Sequence, residues 1–335
     1  PKGVILTHQN ILESAKNINS FIKNTANDLE LIPSPLNHSF GLARLRCNFL
    51  AGSSIALAEG FLLPAKIFRQ LKETKATGIS FVPAGGAILL KFGEKELAKY
   101  KDQIKYIEIG SSSMPLEHKK KLMKLLPKTR ICMHYGSTEA SRSCFMEFHK
   151  DNKYLDSVGK ITPGLKIKII NKDGNICSNN QIGELLIKGK AVCKRYISSK
   201  IPMNAEWYKT GDYGYINNKK YIFLVGRKKE MINIGGKKVS PLEIEKIINI
   251  LPMIKECACV GIYNKNFISG EIIKAFVVKK KISHHINDYT LISHMRKYLE
   301  PFKIPSKIIW LRKLPKTKLG KIKRDFLKNS SIDYL

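Results

Sequence analysis

From Asp28 to Tyr135 the chain alternates between two hydrophobic periods. ELIPSPL, SSIALAEG, GISFVPA, IKYIEIG and RICMHYG are short apolar runs of the strand type. LARLRCNFLAG, LPAKIFRQLKETKA and LEHKKKLMKLLP repeat apolar residues every three or four positions, as amphipathic helices do. Strand and helix in alternation predict a parallel sheet with helices on its faces. Ligands of such sheets bind beyond the carboxyl ends of the strands, where Gly110 and Gly136 fall. After about residue 155 the pattern changes to strands separated by turn residues, LKIKIINKDGN, GELLIKG and KKYIFLVG, with turns at Asp173-Gly174 and Asn217-Asn218. That predicts a small antiparallel sheet or barrel. Beyond Arg227 come a strand, the helix PLEIEKIINIL, the strands CACVGIY and IIKAFVVKK, and the helix YTLISHMRKYL, a mixed α+β order. The expected organisation is a large domain over 1–226, divided into an α/β sheet part (1–154) and a β part (155–226), and a smaller α+β domain over 227–335. A length of 335 residues suits two domains.

Composition changes this picture little. Apolar residues make up 43% and aromatic residues 9%, which is ordinary for a folded globular chain. No stretch approaches the roughly 18 apolar residues of a membrane helix, so no membrane span is expected. Residue 1 is Pro, and the chain is expected to begin inside a longer gene product. Seven cysteines include no pair with the spacing of a zinc knuckle or redox motif, and read as buried thiols in a reducing cytoplasm. The net charge of +32 would suit a polyanion. Lys is spread with Ile and Asn throughout, as in KIKIINKDGN, and no basic stripe interleaves with aromatics, so no nucleic-acid partner is expected.

The chemistry lies in seven segments. Pro1-Lys2-Gly3 precedes the helical pattern VILTHQNILESAKNI, PLNHSFGL covers 35–42, and IEIGSSSMP covers 107–115. YGSTEAS covers 135–141 and YKTGDYG 208–214, followed by GRKKEMINIGGKKVSPLEIE (226–245) and LPKTKLGKIKRDFL (314–327). Singly, most have plain readings: a turn glycine, a helix-capping His, an Asp after Gly in a turn, or a solvated basic run. In this order and spacing they resemble the adenylate-forming superfamily of acyl-CoA synthetases, peptide-synthetase adenylation domains and luciferases. The resemblance covers almost the whole chain.

The resemblance implies a role for each segment. Pro1, Lys2 and Gly3 would be the end of a loop cradling the β- and γ-phosphates of ATP. His38 and Phe40 would border the acyl pocket with Gly110 and Ser111, and Ser39 and Leu42 would add to its lining. Asn37 to Phe40 offers no carboxylate to hold a substrate ammonium, which disfavours an α-amino acid. Gly110 would lie where adenine meets the acyl chain, and Tyr135 and Gly136 against the adenine. Thr138 would hydrogen-bond the α-phosphate and Glu139 would hold Mg²⁺, types that suit a phosphoryl oxygen and a hard cation. Asp212 and Arg227 would hold the ribose, with Lys229 as the hinge and Gly235 and Gly236 as the thiol passage. Lys321 would be the catalytic lysine.

The implied reaction is ATP-dependent activation of a carboxylic acid as acyl-AMP, then transfer to a thiol, CoA first and a carrier-protein phosphopantetheine as the alternative. Lys321, Thr138 and Glu139 would act together on the charge of phosphoryl transfer. A third possibility is an inactive truncated remnant, since half of the phosphate loop is missing, and the chain alone is expected to make little or no acyl-AMP.

Overall fold

The computed structural model describes residues 3–61, 63–199, 207–263, 271–280, 286–317 and 320–329. Two units emerge. The first runs to Thr210 and takes in Gly214–Leu224; the second holds Gly211–Tyr213 and the chain from Val225 onward. The break between Leu224 and Val225 falls two residues before the 226/227 boundary expected from the sequence.

In the first unit, β1 (Val4–Ile5) precedes α1 (His8–Ile22). The sequence pattern ran the helix from Val4, but Val4 and Ile5 pair with Tyr196 and Arg195 instead. Thr7 then starts the helix by a reciprocal cap: Asn10 N donates to Thr7 Oγ1 at 3.1 Å and Thr7 N to Asn10 Oδ1 at 2.9 Å. There follow β2 (Leu29–Ile32), α2 (Ser39–Ala51), β3 (Ser54–Leu57), α3 (Pro64–Thr74), β4 (Gly78–Phe81), α4 (Pro83–Phe92), α5 (Glu94–Ala98), β5 (Tyr106–Ile109), α6 (Leu116–Leu125), β6 (Arg130–Tyr135), β7 (Cys144–Glu147) and β8 (Lys160–Ile161). The helix α4 is not legible in the sequence because PAGGAILLKF is too uniformly apolar to show a helical stripe, and α5, EKELA, is too short to show one.

Seven strands form one sheet in the order β3-β2-β4-β5-β6-β7-β8. The first five are parallel as expected, while β7 and β8 add antiparallel. Alternation along the strands divides the core. Leu31, Ile79, Ile107, Ile109 and Ile131 pack with α3, α4 and α6, whereas Tyr106, Cys132 and Phe145 pack with α1 and α2. Period two therefore puts Glu30, Glu108 and His134 on the α1/α2 face as well.

The chain continues through β9 (Leu165–Ile170), β10 (Gly183–Gly189), β11 (Arg195–Tyr196), β12 (Tyr208–Ile216) and β13 (Ile222–Arg227), with a four-stranded sheet ordered β13-β12-β10-β9. Both expected turns are present. Asn171 Oδ1 accepts from Asp173 N and Asn175 N, and Asn217 Oδ1 from Lys219 N and Tyr221 N.

The second unit contains the hairpin β14 (Ile232–Ile234) and β15 (Lys237–Val239), then α7 (Pro241–Ile248), β16 (Ile254–Tyr263), β17 (Glu271–Lys279), α8 (Asp288–Arg296), β18 (Lys307–Trp310) and α9 (Arg324–Asn329). Its sheet runs β16-β17-β18. One face packs Cys257, Cys259, Ala275 and Val277 against α7 and α8; the other packs Ala258, Val260, Phe276 and Val278 against Leu314 and Leu327.

Candidate active site

Three connections at the carboxyl ends of β2, β5 and β6 carry the predicted residues of the first unit. After β2, His38 caps α2, its Nδ1 accepting from Phe40 N at 3.3 Å, so the plain capping reading of this His is realised. The Phe40 ring lies 5.3 Å from the imidazole of His134, at the end of β6. After β5 comes Gly110. A Cβ there would meet the His134 ring at 1.9 Å, so the glycine makes room for that imidazole. Ser111 follows in the left-handed region, φ 77°, a strained conformation for a residue with a side chain.

After β6, residues 136–141 fold back on themselves. Ser137 N donates to the Ala140 carbonyl at 3.1 Å, and Ala140 N to Ser137 Oγ at 3.2 Å. A Cβ on Gly136 would fall 2.5 Å from Arg142 N, so the fold-back needs glycine there too. The turn leaves Thr138 exposed. Glu139 is anchored: its carbonyl accepts from Cys193 N at 2.7 Å, and its Oε1 accepts from Tyr196 Oη at 2.7 Å. Burial, then the bond to Glu139, push the Tyr196 phenol up, so it stays a donor at neutral pH. Tyr208 bonds both Ser137 and Tyr196. Neither tyrosine was singled out from sequence.

Beneath these turns lies a buried ionic network that sequence reasoning also missed. Arg44 grips Glu30 with both arms, Nε to Oε1 at 2.8 Å and Nη2 to Oε2 at 2.5 Å, and its Nη1 is 3.1 Å from Glu108 Oε2. Arg142 Nε donates to Glu108 Oε1 at 2.9 Å, and its Nη2 donates to the Phe40 carbonyl at 3.3 Å. Asn48 and Tyr106 donate to Glu30 Oε2 at 2.7 and 3.0 Å. Burial alone would raise the Glu108 carboxyl; Arg142 and then Arg44 outweigh it and hold the group ionised, well below the usual carboxylate range. His134 Nδ1 sits 2.7 Å from Glu108 Oε1, poorly aligned for a hydrogen bond. Burial and the Arg142 charge push the imidazole below its ordinary value, so it is neutral. Two carboxylates and two guanidiniums cancel, and the turns rest on an electrically balanced base. The signal was a single glutamate in each of the apolar strands LELI and YIEI, which must find a partner when buried.

In the second unit Asp212 and Arg227 are paired, Arg227 Nε to Asp212 Oδ1 at 2.9 Å, so the two candidate ribose ligands meet. Lys229 is exposed in a 3₁₀ turn, Lys228–Glu230. Gly235 and Gly236 form the two-residue turn of the β14–β15 hairpin, at φ 55° and 85°, the pair of positive angles that such a turn demands. Lys321 is exposed on a loop closed at both ends. Thr317 N donates to the Lys321 carbonyl at 2.8 Å, Lys321 N to Thr317 Oγ1 at 3.2 Å, and Gly320 N to the Thr317 carbonyl at 2.9 Å. Leu314 and Leu327 bury the two flanks. Lys2 lies outside the described residues.

A Mg²⁺ site can be tested against these groups. Among the described residues no cluster of three His, Cys, Asp or Glu could cage a metal. Glu139 offers one anchored carboxylate beside an exposed hydroxyl, which suits Mg²⁺ arriving on nucleotide phosphates rather than held by protein alone.

A family model described as AMP-binding enzyme matches residues 1–197, and one described as AMP-binding enzyme C-terminal domain matches residues 243–321. The oxalate–CoA ligase of Saccharomyces cerevisiae is 29% identical over 97% of the chain and 60% of its own length; that of Arabidopsis thaliana is 30% identical over 97% and 64%. The chain thus spans a little under two thirds of these curated relatives. Among solved structures, o-succinylbenzoate CoA synthetase from Bacillus subtilis in complex with its acyl-adenylate intermediate superimposes with a TM-score of 0.86 at 27% identity, covering 98% of this chain and 66% of that one. The same enzyme with ATP and magnesium ion gives 0.86 at 27%, covering 98% and 67%.

Proposed function

The chain belongs to the AMP-binding enzyme family, and from that premise we propose that it carries out ATP-dependent activation of a carboxylic acid followed by transfer of the acyl group to CoA. The observation that carries the reading is the fold-back after β6, which exposes the Thr138 hydroxyl while Tyr196 fixes the Glu139 carboxylate beside it.

In the first step the substrate carboxylate attacks the α-phosphorus of ATP. The bond to pyrophosphate breaks and an acyl-AMP forms. Thr138 donates to a phosphoryl oxygen, and the Lys321 ammonium meets the charge that grows there, the kind of positioned donor on which phosphoryl transfer depends. Glu139 would hold Mg²⁺ together with the ATP phosphates, where the ion supplies neutralising charge. Asp212 and Arg227 hold the ribose, Tyr135, Gly136 and Gly110 the base, and Lys2 the outer phosphates. His38, Phe40, Gly110 and Ser111 border the acyl group. In the second step a thiolate attacks the acyl carbonyl and AMP leaves. Gly235 and Gly236 line the approach of the thiol, and Lys229 is the hinge between the two states.

The relatives named above are CoA ligases or synthetases, which favours CoA over a carrier protein as acceptor. Free cysteines at all seven positions suit a reducing compartment such as the cytoplasm. No helix among the described residues is long and apolar enough to cross a membrane.

The test is acid-dependent exchange of labelled pyrophosphate into ATP, run on the intact protein over a panel of dicarboxylic, aryl and fatty acids. Lys321→Ala is expected to lower exchange by about 10²–10³-fold, the range for loss of one preorganised donor. Undiminished exchange in that variant would remove Lys321 from the chemistry.

A further inference from the structure

The reading above assigns Lys321 and the Gly235–Gly236 turn to successive half-reactions, and residues beside them, Arg324 and Asn233, are held by different carboxylates of the second unit. Arg324, at the start of α9, stands at the base of the lysine loop. Its Nη1 donates to Glu245 Oε1 at 2.6 Å and to the Cys259 carbonyl at 2.8 Å, and its Nη2 donates to Glu245 Oε2 at 2.9 Å. The remaining arm, Nε, lies 3.2 Å from Glu230 Oε2. Glu230 closes the 3₁₀ turn that carries Lys229, just past the break between the units. One largely buried guanidinium thus ties the lysine loop to α7, β16 and the hinge turn, a reach that depends on its rigid fork.

The glycine turn is held by another group. Asn233 N, on β14, donates to Glu271 Oε2 at 2.6 Å, from the first residue of β17. Ile232 and Glu271 also crowd Gly261, where an added Cβ would meet them at 2.8 and 3.1 Å, so β14 is pressed against β16 at this point.

We infer that Arg324 and Glu230 are positioning residues for Lys321, that Glu271 is a positioning residue for the Gly235–Gly236 turn, and that the two tethers are separable. The inference rests on the reading that places Lys321 in adenylation and the glycine turn in thiol transfer. Its physical basis is that a displacement of about 1 Å at a reacting group can cost roughly a hundredfold in rate. Each tether fixes one working element and leaves the other to its own support.

The experiment measures both half-reactions in the intact protein: pyrophosphate exchange for adenylation, and thioester formation from supplied acyl-AMP and CoA, each beside the thermal midpoint. Glu230→Gln spares the Arg324–Glu245 pair and so keeps the fold. It is expected to slow exchange about tenfold while thioester formation stays within about twofold and the midpoint holds. Arg324→Lys, which loses the fork, should slow exchange at least as much. Glu271→Gln should do the reverse, slowing thioester formation about tenfold and sparing exchange. If Glu230→Gln lowers both rates together, or neither, while Lys321→Ala removes exchange, the tethers are overturned and the assignment of Lys321 stands. If Lys321→Ala keeps its exchange, the assignment beneath the inference falls first.

Discussion

Each unit buries an ion cluster, and the two are composed differently. In the first unit Glu30 and Glu108 face Arg44 and Arg142, two carboxylates against two guanidiniums, and the Glu108 carboxyl is held well below its ordinary range. In the second, Glu245 and Glu230 share the single guanidinium of Arg324. Burial pushes the Glu245 carboxyl up, and Arg324 offsets only part of that. The difference teaches that burial alone does not set the character of a buried acid; the ratio of cations to anions around it does. The balanced cluster underlies the loops that would hold the acyl group and nucleotide. The anion-rich cluster leaves one arm of Arg324 to reach the Lys228–Glu230 turn.

The strongest way to break this comparison is to unbalance the first cluster. Arg44→Ala leaves Glu30 in the interior without a guanidinium, while Glu108 keeps Arg142, and is expected to destabilise the first unit by about 3–5 kcal/mol, the range for removing one partner of a buried pair. Glu245→Gln leaves Arg324 with Glu230 and the Cys259 carbonyl, and should lower the stability of the second unit by about 1–2 kcal/mol. Urea titration followed by amide exchange reads the two units separately, and equal losses would end the distinction. A smaller effect sharpens the role of the loops. Gly110→Ala drives a methyl into His134 and should lose about 1–3 kcal/mol by overpacking, part of which His134→Ala restores in the double variant. Additive losses would show that the two positions do not press on each other.

The smallest effect is in acid. His134 titrates below its ordinary 6.5 in the folded chain, so protonation favours unfolding and stability falls as pH drops below 6.5. Glu108 ionises below 4.5 when folded, so its contribution is whole above pH 4.5 and drains away as pH falls further. Glu245 ionises above 4.5, so the folded second unit takes up that proton first and gains stability relative to its unfolded form as pH drops toward 4.5. Amide exchange followed from neutral pH downward should therefore show β5 and β6 losing protection before β16. Loss in the opposite order would contradict the electrostatic contrast.

Local sequence determined much of this protein. The short apolar run GISF, between turn residues, reads as a buried strand and forms one. The Gly235-Gly236 pair fixed a hairpin turn through its positive φ angles, Asn171 and Asn217 fixed two more turns through their own side chains, and YGSTEAS marked the candidate site by residue type. These features depend on neighbours a few residues away, so the chain carries them wherever it folds. What only the tertiary structure decided are the long-range partners: Arg142 reaching Glu108, Arg324 reaching Glu245, Tyr196 fixing Glu139, and Val4 pairing with Tyr196 instead of starting a helix. Even Gly110, read from sequence as a point of close ligand approach, has an imidazole from the adjacent strand in the space its side chain would fill. Periodicity says which way a side chain faces, but only the packing of distant strands and helices says what it meets there.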